Sequence, residues 1–524
     1  MAYRGEKFEI PLGTEGLTGT SNPTEVAPGY LSEARNCSLA EGNIQKEGGA
    51  DKYNATAITG GPTILGGWQH HTNSLAQRMV IAASDGKLYK DSGSGTFSVT
   101  LKSGLSGSMR PFFMEGGKEE AASDRKTFIF TGTNVVQVFA DDDATTTDIA
   151  TPPADWSGAN QPTFGLIHNF RLLAGGNSND PHRIYYSTTG DQEDFTSSGA
   201  GSVSVYPGEG EGLVGGISFN NYAIVFKRPK GIYAIDMRSA TAANWTVQRL
   251  SSAIGLASPW AVVQTDTDVI FIDCTAGIQS LTNSLSNADV EGRNIGQQSF
   301  IEPAFRAQVN YSRLNNVRGV YYVAKREVHF AFTSASNTIN DRRLVLDLFR
   351  PDKIRYRISD RDICEALWMK QDSDEIPRPF AGDDDGFVWQ LDTDTYTKDS
   401  VAYITTITTV PTNFSYIDPS LATRIKNGQF LELVYEPLFP TTVDVTVTWD
   451  NRLTQNLTFT LDSSGATLGE FLIDTDALGA SGFTSQVKRL TGSGKYASVS
   501  FSNNTDTGTF SINKAFMYCT LGAE

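Results

Sequence analysis

With 524 residues the chain exceeds what one hydrophobic core usually supports, so a large domain with at least one satellite is expected. Its 43 Lys+Arg against 59 Asp+Glu give a formal charge of -16, which argues against a general DNA-gripping surface, because phosphate binding needs clustered Lys and Arg. It leaves open a wall along which DNA slides and is repelled. No apolar run approaches the roughly 18 residues of a membrane span, and the opening residues lack an apolar core, so neither a span nor a signal peptide is expected.

Residues 1–62 are polar and punctuated by Gly and Pro. They read as an N-terminal arm, either extended on the surface or supplying an outer strand that seals the first or last unit of a ring. Residues 63–396 repeat a strand-turn-strand phrase seven times, clearest at 79–89, 222–233 and 269–278. The turn centres fall near Gly86, Gly132, Asp180, Gly231, Gly277, Arg326 and Gly386, about 46 to 51 residues apart with a longer last step. That is the period of a propeller blade, four short strands that cannot bury both faces alone. Gly at 49 residues and charged residues at only 19% suit many short strands joined by tight turns. The predicted fold is therefore all-β, a β-propeller of about seven blades.

Residues 283–316 interrupt the repeat without strand alternation, and the stretch around Phe300 and Phe305 predicts a short helix. An insertion of this length between blades reaches beyond the ring at little cost to it. From 397 to 524 apolar residues alternate with period two, as in Val443, Val445, Val447 and Trp449, which predicts an additional C-terminal β-sandwich.

Chemistry-bearing patterns are few. Cys37, Cys274, Cys364 and Cys519 have no metal-ligand spacing, and most of them read as small core residues of a protein assembled in a reducing cytoplasm. His70 and His71 are adjacent on one strand and point to opposite faces, which disqualifies them as a ligand pair. The acid runs Asp141, Asp142, Asp143 and Asp383, Asp384, Asp385, with Glu209 and Glu211, lack the spaced ligands of a calcium loop and read as solvated turns whose interest is electrostatic, candidates for an acidic channel or loop surface. Trp68, Tyr89, Tyr185, Tyr233, Trp368 and Trp389 recur within blade strands and read first as inter-blade packing, second as a carbohydrate platform. No phosphate loop, nucleophile elbow or zinc-helix motif is present, so no catalytic residue, cofactor or metal site is predicted. A pair of glycosidase carboxylates drawn from different blades would leave no local motif.

Three phrases carry a resemblance: Ala27, Pro28 and Gly29 leading to Glu33, Ala34, Arg35 and Asn36; Arg183, Ile184, Tyr185 and Tyr186 leading to Gly190, Asp191, Asp194 and Phe195; and Ile254, Gly255, Ser258 and Pro259 leading into 269–278. Over residues 20–400 the chain resembles the β-propeller tail hub or nozzle proteins of short-tailed bacteriophages, also called phage stabilisation proteins. The resemblance implies a structural virion protein and not an enzyme. It implies a homo-oligomer, a hexameric ring below portal and adaptor proteins that extends the DNA ejection channel without reading sequence, anchors tail fibres, spikes or a needle, and is assembled in the host bacterial cytoplasm. The alternative is a phage-encoded propeller that degrades or binds polysaccharide.

Overall fold

The computed structural model describes residues 5–522 apart from 21, 40–41, 94, 109, 118–123, 210–211, 283–294, 296–300, 351–352, 361–362, 372–374, 462–482 and 507. The chain is all-β in a propeller arrangement. Four sheets in succession are built alike, each from strands that pair antiparallel in chain order. The first consists of Ile64–His71, Gln77–Ala83, Lys87–Lys90 and Val99–Lys102. The others begin with Phe112–Gly117, Phe164–His168 and Leu213–Phe219. A three-stranded sheet starting at Val262–Gln264 follows.

The last sheet, Ala366–Gln371, Pro377–Gly382 and Val388–Thr393, takes its fourth strand from the other end of the chain: Gly49–Lys52 lies antiparallel on Val388–Thr393, with Gln390 opposite Asp51. The first strand of each sheet touches the first strand of the next, and Ala366–Gln371 returns to Ile64–His71, so the ring closes. Closure is what buries both faces of each blade. Phe130, for instance, stands against Gly165 of the next inner strand, where a Cβ would lie 2.5 Å from the ring.

Among the described residues self-contained blades number six, not the seven predicted. The position between the three-stranded sheet and the last blade is filled by Arg318–Tyr322, Glu327–Thr333, Asn340–Arg350 and Lys353–Ser359, and these are one end of a ten-stranded sheet. It continues through Tyr30–Arg35, beside which Gly16–Leu17 also pairs, then Thr405–Thr409, Ala497–Asn503, Thr441–Trp449 and Leu453–Leu461. The turn at Arg326 thus joins the first and second strands of its unit, whereas the other six turn centres join second and third strands. The long step in the repeat therefore falls at the insertion. Of that insertion the helix Glu302–Gln308 is described, matching the expected position, while 283–294 and 296–300 lie outside the described residues.

The C-terminal strands do not keep to themselves. Lys426–Glu436, Thr484–Arg489, Ser493–Gly494 and Ser511–Leu521 form a seven-stranded sheet with Glu6–Ile10, Cys37–Ser38 and Ile44–Lys46 from the chain's beginning. Period-two alternation puts Val443, Val445, Val447 and Trp449 on a buried face, as Leu431, Leu433, Ala515 and Met517 are in the seven-stranded sheet. These side chains share one apolar cluster with Phe271 and Phe330 of the ring. Each large side chain so buried contributes about 1.5–3 kcal/mol.

Where the ten-stranded sheet leaves the ring, charged groups are buried together. Arg357 donates to both oxygens of Glu327 at 2.8 and 2.9 Å. Arg343 Nη1 lies 3.2 Å from His329 Nδ1 and its Nη2 3.4 Å from Glu47. A guanidinium can only donate, so His329 Nδ1 accepts and its Nε2–H donates to Glu327, 2.9 Å away. The imidazole is thereby fixed neutral, and burial lowers its pKa.

Candidate functional site

The inner strands run side by side around an axial cavity of about 700 Å³. Close approach at the axis requires missing side chains: a Cβ on Gly67 would stand 2.5 Å from the Trp368 indole, and one on Gly216 2.6 Å from Leu166. Alternation on each inner strand then turns every second side chain to the axis, among them Trp68, Phe112, Met114, Ile217, Tyr321 and Met369, all half-buried. The wall is mostly apolar, and its charged groups sit at two levels. Toward the ends of the inner strands lie His71 and Glu115, 3.5 Å apart, with Arg125 3.7 Å from Glu115. Toward their beginnings lies Arg318.

Arg318 is buried; its Nη2 donates to Leu65 O at 2.5 Å, and its guanidinium lies 4.3 Å from the centre of the Trp260 ring. Its Nε has no hydrogen-bond partner among the described residues. Burial, with Arg110 nearby, pulls its pKa down to about 9, and Glu365 opposes this. Glu365 is itself paired with Arg110 and accepts the Asn340 amide at 2.8 Å.

The turns after the inner strands share one face of the ring, because all inner strands run in the same direction. Four carry large apolar side chains into solvent: Leu75 (63% exposed), Phe170 (53%), Val323 (52%) and Ile376 (41%). Leu75 and Phe170 hold left-handed backbone, with φ 66° and 59°. Bulky residues seldom adopt that region, at a cost of about 1–3 kcal/mol.

The acids singled out in the sequence are dispersed over the ring. Asp142 lies 2.8 Å from Arg78 and from Lys90 of the preceding blade, which hold its carboxyl down to about 2. Asp141 accepts the Asn73 amide at 2.8 Å, and the Asp143 carbonyl accepts from Lys90. This run is an inter-blade clasp. Glu209 pairs with Arg249 at 3.1 Å, and Glu211 lies outside the described residues. Asp383 is buried and accepts from the Phe387 amide and Trp389 Nε1, so it staples its hairpin. Asp384 is half-buried and Asp385 exposed.

Among the described residues no group of three metal-ligating side chains converges. His70 is buried against Thr127 while His71 reaches the cavity, on opposite faces as expected. Tyr89, Tyr185, Tyr233, Trp368 and Trp389 are packed between or within blades, but Trp68 faces the axis. Cys37, Cys364 and Cys519 are core residues, and burial pushes Cys37 and Cys519 up to about 12. Arg318 was not anticipated; a single arginine opening a strand carries no local signal.

No protein-family model matches the chain, and no curated protein matches it. Among solved structures it is similar to that of U3-55K, at 7% identity and TM-score 0.40, covering 66% of this chain and 98% of the other. It is also similar to a chain of the mitotic checkpoint complex, at 10% identity and TM-score 0.39 over 66% and 93%. The computationally designed Ika8 protein gives 11% identity and TM-score 0.36 over 72% and 99%.

Proposed function

We propose that the chain is a structural component of a short-tailed bacteriophage tail, a hub or nozzle protein that assembles as a homo-oligomeric ring below portal and adaptor proteins. The observation that carries this reading is the set of exposed Leu75, Phe170, Val323 and Ile376 at the turns of one face, two of them on left-handed backbone that a bulky residue holds at a cost, as a contact surface for a partner would. Its support includes the placement of the resembling phrases, which are spent on joints of the scaffold. Asn36 donates to Asp360 and to Ile404 O and accepts the Asp360 amide, Arg35 pairs with Asp360, Arg183 with Asp155, and Ser258 bonds Val317 O.

The axial cavity, about 700 Å³, is lined on all sides by aromatic and aliphatic groups and has the size of a small molecule, so a DNA path would run between copies and not through one propeller. Six copies at -16 would carry about -96, a field that keeps DNA from adhering to such a wall. In the finer reading the ring has seven blade positions, one taken by the shared sheet, and the C-terminal strands form a sandwich that serves contacts between subunits or fibre docking. The alternative, a glycan-degrading propeller, needs two facing carboxylates, and Glu115 is the one carboxylate among the cavity's described lining residues.

Mass photometry of the full chain, alone and with portal complexes, followed by electron-microscope class averages, tests the proposal. A closed ring, alone or seeded on portals, is the expected result, lost in the double variant Leu75→Asp/Phe170→Asp. A monomer that ignores portals overturns it.

A further inference from the structure

We infer that the axial cavity is a binding site for a small monocarboxylate with an aromatic or branched apolar body. A cavity of about 700 Å³ has the size of a small-molecule site, with apolar walls and a few polar groups at fixed places. The fixed group is Arg318. Among the described residues one further guanidinium, Arg110, and one carboxylate, Glu365, act on it, and Glu365 is already held by Arg110 and the Asn340 amide. The site is therefore, among the described residues, one negative charge short, and a buried charge is costly until it is matched.

A ligand that supplies one charge and no more fits this deficit, and a planar carboxylate suits a guanidinium fork. Depth in the ring fixes orientation. Arg318 Nη2 bonds Leu65 O and the Gly319 amide bonds Trp260 O, so the guanidinium lies near the beginnings of the inner strands. The carboxylate would sit there, and the apolar body would lie against Trp68, Phe112, Trp260 and Met369 toward the hairpin face. At the other level Glu115 is matched by Arg125 and His71, so no unmatched positive charge there calls for a second acidic group, and the class is that of monoacids.

The probes are 2-naphthoate and its neutral isostere 2-naphthamide, titrated into the full chain while tryptophan fluorescence and heat are followed, with Trp68 and Trp260 in the wall as reporters. Naphthoate is expected to bind at least about tenfold more tightly than the amide, the discrimination of a charge-assisted hydrogen bond. Arg318→Met is expected to erase that preference while leaving weak binding of both. Because removing a buried arginine can impair folding, Met369→Trp serves as the second variant. It fills the cavity from a half-buried wall position and is expected to abolish naphthoate binding with near-ultraviolet dichroism retained. An N-acetylated tripeptide ending in phenylalanine, compared with its amidated form, distinguishes a chain terminus from a free acid as the source of the same carboxylate. Equal affinity for naphthoate and naphthamide, no binding of either, or unchanged binding in Met369→Trp overturns the inference. The result is independent of ring assembly, which is read by mass.

Discussion

The blade that begins at Leu213–Phe219 is made from residues 213–251, each strand pairing with its neighbour in the chain through Tyr222–Lys227, Ile232–Asp236 and Thr246–Ser251. The ten-stranded sheet draws instead on strands from residues 16–35, 318–359, 405–461 and 497–503. In the blade, hairpin turns set the register. In the long sheet, Lys353–Ser359 meets Tyr30–Arg35 through the single pair Ile358 and Arg35, so backbone pairing cannot set the register there. Side chains do it: the Asn36–Asp360 clasp on one side and the buried group of Glu47, Glu327, His329, Arg343 and Arg357 on the other. Local turns build the ring, and buried polar chemistry attaches what lies outside it.

This contrast breaks most directly at Arg357. Arg357→Ala leaves Glu327 buried without its bidentate partner and is expected to cost about 3–5 kcal/mol, measured by urea unfolding. If the seam couples ring to C-terminal sheets, one cooperative transition moves as a whole; two separated transitions would show that the regions fold independently. Asn36→Ala, which removes three hydrogen bonds and a residue suited to φ 51°, is expected to cost about 2–3 kcal/mol and to act on the same transition.

Acid sharpens the comparison, because each region buries a neutral histidine. Between two blades His70 has its pKa lowered from 6.5 to about 4, chiefly by burial. The unfolded imidazole takes up its proton near pH 6.5 and the folded one only near pH 4, so across that window the unfolded state binds more protons and stability falls as pH falls. From His70 alone the loss at pH 5 is about 2 kcal/mol, and His329 adds to it in the same direction. Thermal melts of His70→Leu between pH 7.5 and 5 are expected to show a flatter decline than the parent protein. The smallest effect belongs to Asp142→Asn, a half-exposed clasp between blades, expected to cost under about 1 kcal/mol and to shrink further in high salt.

How much was legible follows from the same division. Hairpins such as 79–89 announce themselves because apolar strands and a glycine turn lie within a dozen residues of one another. The phase of the unit at 318–359 misled because Arg326, at φ 51°, makes a tight left-handed turn where its neighbours use glycine. The turn equivalent to theirs, between Glu327–Thr333 and Asn340–Arg350, has no glycine and is held by Asp341 accepting from Ser334 and Asn337. Period two says that Trp68 and Trp368 alternate with their neighbours, but not that one faces the axis while the other packs between blades. The acids looked like solvated turns because their cations, Arg78, Lys90 and Arg249, stand on other strands. For residues 1–62 the sequence left open an outer strand that seals the ring, but which late strands the chain's beginning pairs with had no sequence signal, since pairing between distant strands leaves no period.

The strand Gly49–Lys52 gives the molecule a fixed order of assembly in time. It leaves the ribosome before any blade exists, yet its partner Val388–Thr393 is made more than three hundred residues later. At about 5–20 residues per second that is an interval on the order of tens of seconds. Throughout it the growing chain holds an open ring with two unpaired edges, and only the last blade's synthesis lets the first-made strand shut it. Nascent copies are thus at greatest risk of capturing one another's strands just before completion, and a cell making many copies at once relies on closure within a chain outpacing encounter between chains.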